Sequence, residues 1–152
     1  MKNEETIEVL NSLITINNDR IEGYETATKE TEEFDLKALF SQFISTSQKC
    51  NLELVREVNF LGGKPAEGTT ISGKFFRIWM DVKAALSGKD RKTILDSCEY
   101  GENNAINTYE NALENESEHL SPEQYYMIST QKSLLKTDYD RVKILRDSLG
   151  NA

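Results

Sequence analysis

Four apolar stripes at helical spacing, each long enough for a rod and each interrupted near its middle by polar residues, constrain this chain more than any other feature. Ile7, Leu10, Ile14, Asn17, Ile21, Tyr24 and Thr28 step by threes and fours and predict a helix over about 6–29. A second stripe runs Leu36, Phe40, Phe43, Ser47, Cys50, Leu54, Val58 and Leu61, then stops at Gly62-Gly63, as glycine just past a helix end does. The third, with Asp90 as its cap, carries Ile94, Leu95, Cys98, Glu102, Ala105, Tyr109 and Leu113. The fourth opens on Ser121-Pro122-Glu123-Gln124, where Ser121 caps, Pro122 takes the first helical position and Gln124 closes a capping box. It continues through Ile128, Gln131, Leu135, Asp138, Val142, Leu145 and Leu149 to Gly150. Helices of about 25 residues are roughly 35–40 Å long, and four such rods fit one bundle.

Short links join the first helix to the second and the third to the fourth. The connection over 62–89 is longer and holds its own apolar run, Phe75-Phe76-Arg77-Ile78-Trp79-Met80-Asp81-Val82, which predicts a short extra helix. Two antiparallel hairpins joined by a long crossover is the connectivity of ferritin-like bundles, so the expected fold is an all-α, ferritin-like four-helix bundle forming a single domain over 1–152. A faint repeat supports two related hairpins. Leu10, Asn18, Ile21, Tyr24, Glu25 and Ala27 recur 85 residues later as Leu95, Asn103, Ile106, Tyr109, Glu110 and Ala112, which sets Asn17 against Glu102.

Charge narrows the functional classes. With 18 Lys and Arg against 26 Asp and Glu, the net charge of -8 opposes a grip on nucleic-acid phosphates. No span approaches the ~20 apolar residues of a membrane helix. The start, MKNEETIEVL, has acidic residues where a secretory leader would put a basic start and an apolar run, and two cysteines make no disulfide framework, so a cytoplasmic setting is expected.

The run Gly73-Lys74-Phe75-Phe76-Arg77-Ile78-Trp79-Met80-Asp81-Val82-Lys83, with Cys98-Glu99-Tyr100-Gly101-Glu102 and Leu145-Arg146-Asp147, resembles bacterial ferritin-like four-helix-bundle proteins classed as a domain of unknown function. The likeness covers nearly the whole chain. It implies a ferritin-like fold and a bacterial source, and no established reaction. Two positions depart from the pattern: Phe76 and Tyr139 stand where histidine is common.

A ferritin-like di-iron site needs one Glu from each of two helices and a Glu-x-x-His pair from each of the others. This chain has one histidine. The literal match at Glu116–His119 falls at the end of the third helix, far from the polar centre, so His119 is expected to be a solvated linker residue. The polar centre comprises Asn17, Ser47, Asn51, Glu102, Gln131 and Asp138, and its expected role is an internal hydrogen-bond network with no cofactor. The alternative is a weak site for a divalent cation at Glu102 and Asp138, whose oxygens suit a hard ion. If both acids are buried without a cation, at least one should have a raised pKa.

Cys50 and Cys98, mid-helix and without a histidine nearby, are expected to be core residues, and no catalytic residue is assigned. In the crossover, Phe75, Ile78, Trp79 and Val82 share one face, fit for a lid or a dimer contact. The expected function is therefore non-catalytic, through protein interaction or a homo-oligomer such as a dimer, without nucleic acid or membrane. The alternative is a metal-binding or oxidase-like protein with a degenerate centre. A lid role predicts that Trp79→Ala lowers stability by about 3–5 kcal/mol; an unchanged melting curve would put Trp79 at the surface.

Overall fold

A computed structural model describes residues 2–69 and 91–150 of the chain. The crossover face of Phe75, Ile78, Trp79 and Val82, and the Asp90 cap, lie outside the described residues. Those described are all-helical: α1 (Lys2–Glu30), α2 (Phe34–Phe60), α3 (Arg91–Asn115), a 3-10 turn at Ser117–His119, and α4 (Pro122–Gly150).

The ends of these helices follow from local chemistry. At the start of α4, the Ser121 N–H donates to Gln124 Oε1 (2.8 Å) and the Gln124 N–H donates to Ser121 Oγ (3.1 Å), the reciprocal pair of a capping box. At the end of α2, the Gly62 N–H donates to the Asn59 carbonyl and the Gly63 N–H to the Val58 carbonyl, both at 3.0 Å. This Schellman arrangement needs the left-handed backbone that Gly62 adopts, with φ +81°. Gly63 serves a different purpose, since a Cβ there would lie 2.7 Å from Ile7 Cδ1. Its bare backbone lets the end of α2 close on the start of α1.

Contacts between helices fix their directions. Gln124 Nε2 donates to Glu57 Oε1 (3.0 Å), and the Thr6 hydroxyl donates to the His119 carbonyl. The start of α1, the end of α2, the end of α3 and the start of α4 therefore share one end of the bundle. At the other end, Arg91 pairs with Glu33 (3.2 Å) and Asp35. Thus α2 and α3 run parallel, and the chain leaves α2 at one end and enters α3 at the other. The first stretch after α2 already lies along α1. Asn11 Nδ2 donates to the Lys64 carbonyl (3.1 Å) while its Oδ1 accepts the Ala66 N–H (2.8 Å), and two turns on Asn18 Nδ2 donates to the Gly68 carbonyl (3.0 Å).

The core is divided. One apolar cluster gathers Leu10, Leu13, Ile14, Leu54, Val58, Ile106, Ile128 and Leu135. Another gathers Leu36, Phe40, Phe43, Ile94, Leu95 and Val142 toward the opposite end. A polar layer separates them. No helix among the described residues is long and apolar enough to cross a membrane.

Because Asn11 supplies both a donor and an acceptor to residues 64–66, Asn11→Ala should lower stability by about 1–2 kcal/mol. Amide exchange at Ala66 should quicken, and unchanged exchange there would mean that other contacts hold the segment.

Candidate functional site

The polar layer is organised by a residue outside the expected stripe, Arg20. On α1 the helical spacing Asn17, Arg20, Tyr24 turns the guanidinium fully inward, and Ile21 is only half-buried. The inward face at this turn runs through Arg20, one residue before the Ile21 of the expected stripe. A buried guanidinium carries five N–H donors and must find acceptors. Nε (3.3 Å) and Nη2 (2.7 Å) donate to Glu102 Oε1 from α3, Nη2 also to Asp138 Oδ2 (3.2 Å) from α4. Nη1 donates to Ser47 Oγ (2.5 Å) and to the Phe43 carbonyl (3.4 Å), both from α2. The guanidinium carbon also lies 5.7 Å from the Tyr24 ring centre and 5.9 Å from that of Phe43, within cation–π range.

The weak repeat becomes visible as reciprocity. Tyr24 Oη on α1 donates to Glu102 Oε1 on α3 (2.5 Å), and Asn17 Nδ2 on α1 donates to Tyr109 Oη on α3 (2.8 Å). Tyrosines 85 residues apart thus engage polar residues 85 residues apart across the same interface. Tyr109 Oη donates to Gln131 Oε1 (2.7 Å), and Gln131 Nε2 donates to the Cys50 carbonyl (3.2 Å) and Glu53 Oε1 (3.0 Å). The structure therefore brings Asn17, Ser47, Glu102, Gln131 and Asp138 into one buried layer. Asn51 instead donates to Asn18 Oδ1 (2.9 Å), on the side where residues 64–68 run.

Burial and charge act against each other here. Burial alone would push the Arg20 pKa down, but Glu102, Tyr24 and Asp138 outweigh it and hold the guanidinium charged. Burial pushes Glu102 up, opposed by Arg20 and Tyr24. It pushes Asp138 up as well, opposed by Arg20 and Thr46. One positive charge between two acids cannot neutralise both. Glu102 Oε1 accepts three donors, whereas its Oε2 is buried without a hydrogen-bond partner, as is Asn17 Oδ1.

The layer does not fit a dinuclear metal centre. Among the described residues no three His, Cys, Asp or Glu side chains are grouped to hold a metal ion. Arg20 bridges the two acids. Tyr139, where histidine was noted as common, donates to Glu99 (3.2 Å) on α3 and lies under Lys136, 4.8 Å from its ring centre. His119 sits in the 3-10 turn, far from the centre. Contrary to a solvated linker, it is largely covered, with Nδ1 2.9 Å from Glu5 Oε2 and Nε2 3.7 Å from Glu116. Neither cysteine is an activated thiolate. Burial pushes the Cys50 thiol up to about 11 and raises the Cys98 thiol too, so both stay protonated near neutral pH.

Among the described residues, four long helices around a guanidinium–carboxylate network are the class that fold and site define. The chain belongs to the family described as domain of unknown function DUF2383, which matches residues 5–115, from α1 to the end of α3. No curated protein matches it.

Arg20→Ala strands two buried acids and should cost about 3–5 kcal/mol in denaturant unfolding, while Arg20→Met with Glu102→Gln and Asp138→Asn should regain most of that loss. The acids give a pH signature. Because the folded pKa of Asp138 is raised, its contribution is most favourable below the ordinary carboxyl value of about 4 and declines as pH rises through the folded value. Asp138→Asn should therefore be more stable than the parent at pH 7, with the difference closing toward pH 4. A variant less stable at pH 7 would show that Arg20 needs both negative charges.

Proposed function

We propose that this protein is a ferritin-like four-helix bundle in which Arg20 takes the central position that a metal cluster would fill, and that it acts without catalysis, through contacts with other chains, including copies of itself. The observation that carries this reading is the fully buried Arg20 bonded to Glu102 and Asp138. A guanidinium in that place supplies charge balance but no open coordination position, no redox chemistry and no dissociable proton. The parallel course of α2 and α3, which sends the connection from one end of the bundle to the other, supports the ferritin-like reading, as does the reciprocity between the hairpins. Two free, buried cysteines suit the reducing cytoplasm of a bacterium.

The surface supports contact with other chains. Phe34 (85% exposed), Phe60 (82%) and Tyr126 (75%) stand out to solvent, and Leu52 and Ile144 are also exposed. Single exposed apolar residues are common on any protein, but five large ones on two helices, α2 and α4, offer anchors of the kind interfaces use.

Protein purified without chelators should contain far less than one metal per chain and should sediment at micromolar concentration as a dimer or larger, or with a bound partner. One or two metals per chain, lost on Glu102→Ala, would replace this reading with a metal-binding or oxidase-like one. A strict monomer that captures nothing would remove the interaction.

A further inference from the structure

We propose that the oxygens gathered around Arg20 form a latent cation seat, which takes a hard divalent ion once the guanidinium is removed. The inference rests on the reading above, in which Arg20 stands in the place of a metal. It concerns what the cage itself can bind.

Four oxygens from three helices converge on the guanidinium that the fourth supplies: Glu102 Oε1, Asp138 Oδ2, Ser47 Oγ and the Phe43 carbonyl. Two of them meet at a single atom. Arg20 Nη2 lies 2.7 Å from Glu102 and 3.2 Å from Asp138, so carboxylates from α3 and α4 already focus on one point of positive charge. That is what a cation requires and what dispersed surface acids lack. A second observation points the same way. Glu102 Oε2 and Asn17 Oδ1 are both buried acceptors without a donor, so the layer holds more lone pairs than Arg20 uses.

The chemistry of the donors selects the ion. Carboxylate, hydroxyl and carbonyl oxygens suit calcium, magnesium or manganese, whereas zinc and copper prefer nitrogen and sulfur. The nearby thiols, Cys50 and Cys98, are held protonated and add no soft ligand. Deleting Arg20 leaves two buried acids without the cation that they share, a deficit that a divalent ion can balance and a water cannot. In the parent chain the tethered guanidinium holds that place against any free ion.

The test compares the parent, Arg20→Ala, Arg20→Met and the double variant Arg20→Ala with Asp138→Asn, each titrated with Mn2+ and Ca2+ by calorimetry and thermal melting. Arg20→Ala should bind about one ion per chain and gain roughly 5–10 °C in Tm at a hundredfold excess over Kd. The parent and Arg20→Met, whose side chain fills the space, should not respond. The double variant should bind at least tenfold more weakly. If Arg20→Ala is unfolded alone, recovery of its helical circular dichroism on adding Mn2+ gives the same support. Failure to bind or refold while Arg20→Met folds would overturn the latent seat, as would equal binding by the double variant. Metal bound by the parent at Glu102 is a separate result, which would overturn the metal-free reading of the native centre.

Discussion

Everything in the middle of this bundle follows from placing one guanidinium where no water reaches it. Removing a charged group from water costs several kcal/mol even after the protein relaxes, and the cost is offset only where other charges and hydrogen bonds meet it in good geometry. Arg20 obtains that from all three other helices at once. Its flat fork can address four oxygens and two aromatic faces together, which a lysine ammonium cannot. The layer therefore ties four rods at one height, and the apolar clusters on either side pack around that fixed point.

The balance of charge in the layer is incomplete, and the incompleteness has a structure. Glu102 receives three donors on one oxygen and none on the other, while Asp138 shares a single guanidinium nitrogen with it. Burial consequently lifts both acids despite the adjacent cation. A metal cluster resolves the same problem with more positive charge and takes imidazoles as neutral ligands. A single guanidinium needs no imidazole, which fits a chain whose one histidine lies at the end of the bundle, beside Glu5.

The rods were legible in the sequence because helical spacing, the capping box and the double glycine are local signals, and local signals survive translation into structure. Ser121, Gln124, Gly62 and Gly63 behave as their chemistry dictates. The polar layer was legible as a set of residues at mid-helix, including Glu102 and Asp138. Its organiser was not, because Arg20 adjoins Ile21, and a stripe drawn through the apolar neighbour assigns the charged one to solvent. The available signal was one of charge. Two acids on inward faces call for a cation, and Arg20 lies three residues from Asn17 and four from Tyr24, on the same side of α1. Asn51 illustrates the opposite error, since its spacing fits the stripe but its amide turns to Asn18.

The reciprocity between hairpins also shows where their likeness had to end. Shifting Tyr24 by 85 residues gives Tyr109, and shifting Asn17 gives Glu102, but shifting Arg20 gives Ala105, which is fully buried. A second arginine there would bring two guanidiniums into one small layer. The asymmetry divides the charges by hairpin, with Arg20 and Ser47 on α1 and α2, and Glu102 and Asp138 on α3 and α4. Two copies of the first hairpin brought face to face would confront cation with cation, and two copies of the second would bury four acids with nothing between them. Each mismatch carries unpaired buried charge, which costs far more than an imperfect apolar fit. An apolar layer would accept any of these pairings, whereas this one selects the first hairpin against the second. The charged centre thus penalises the meeting of like halves.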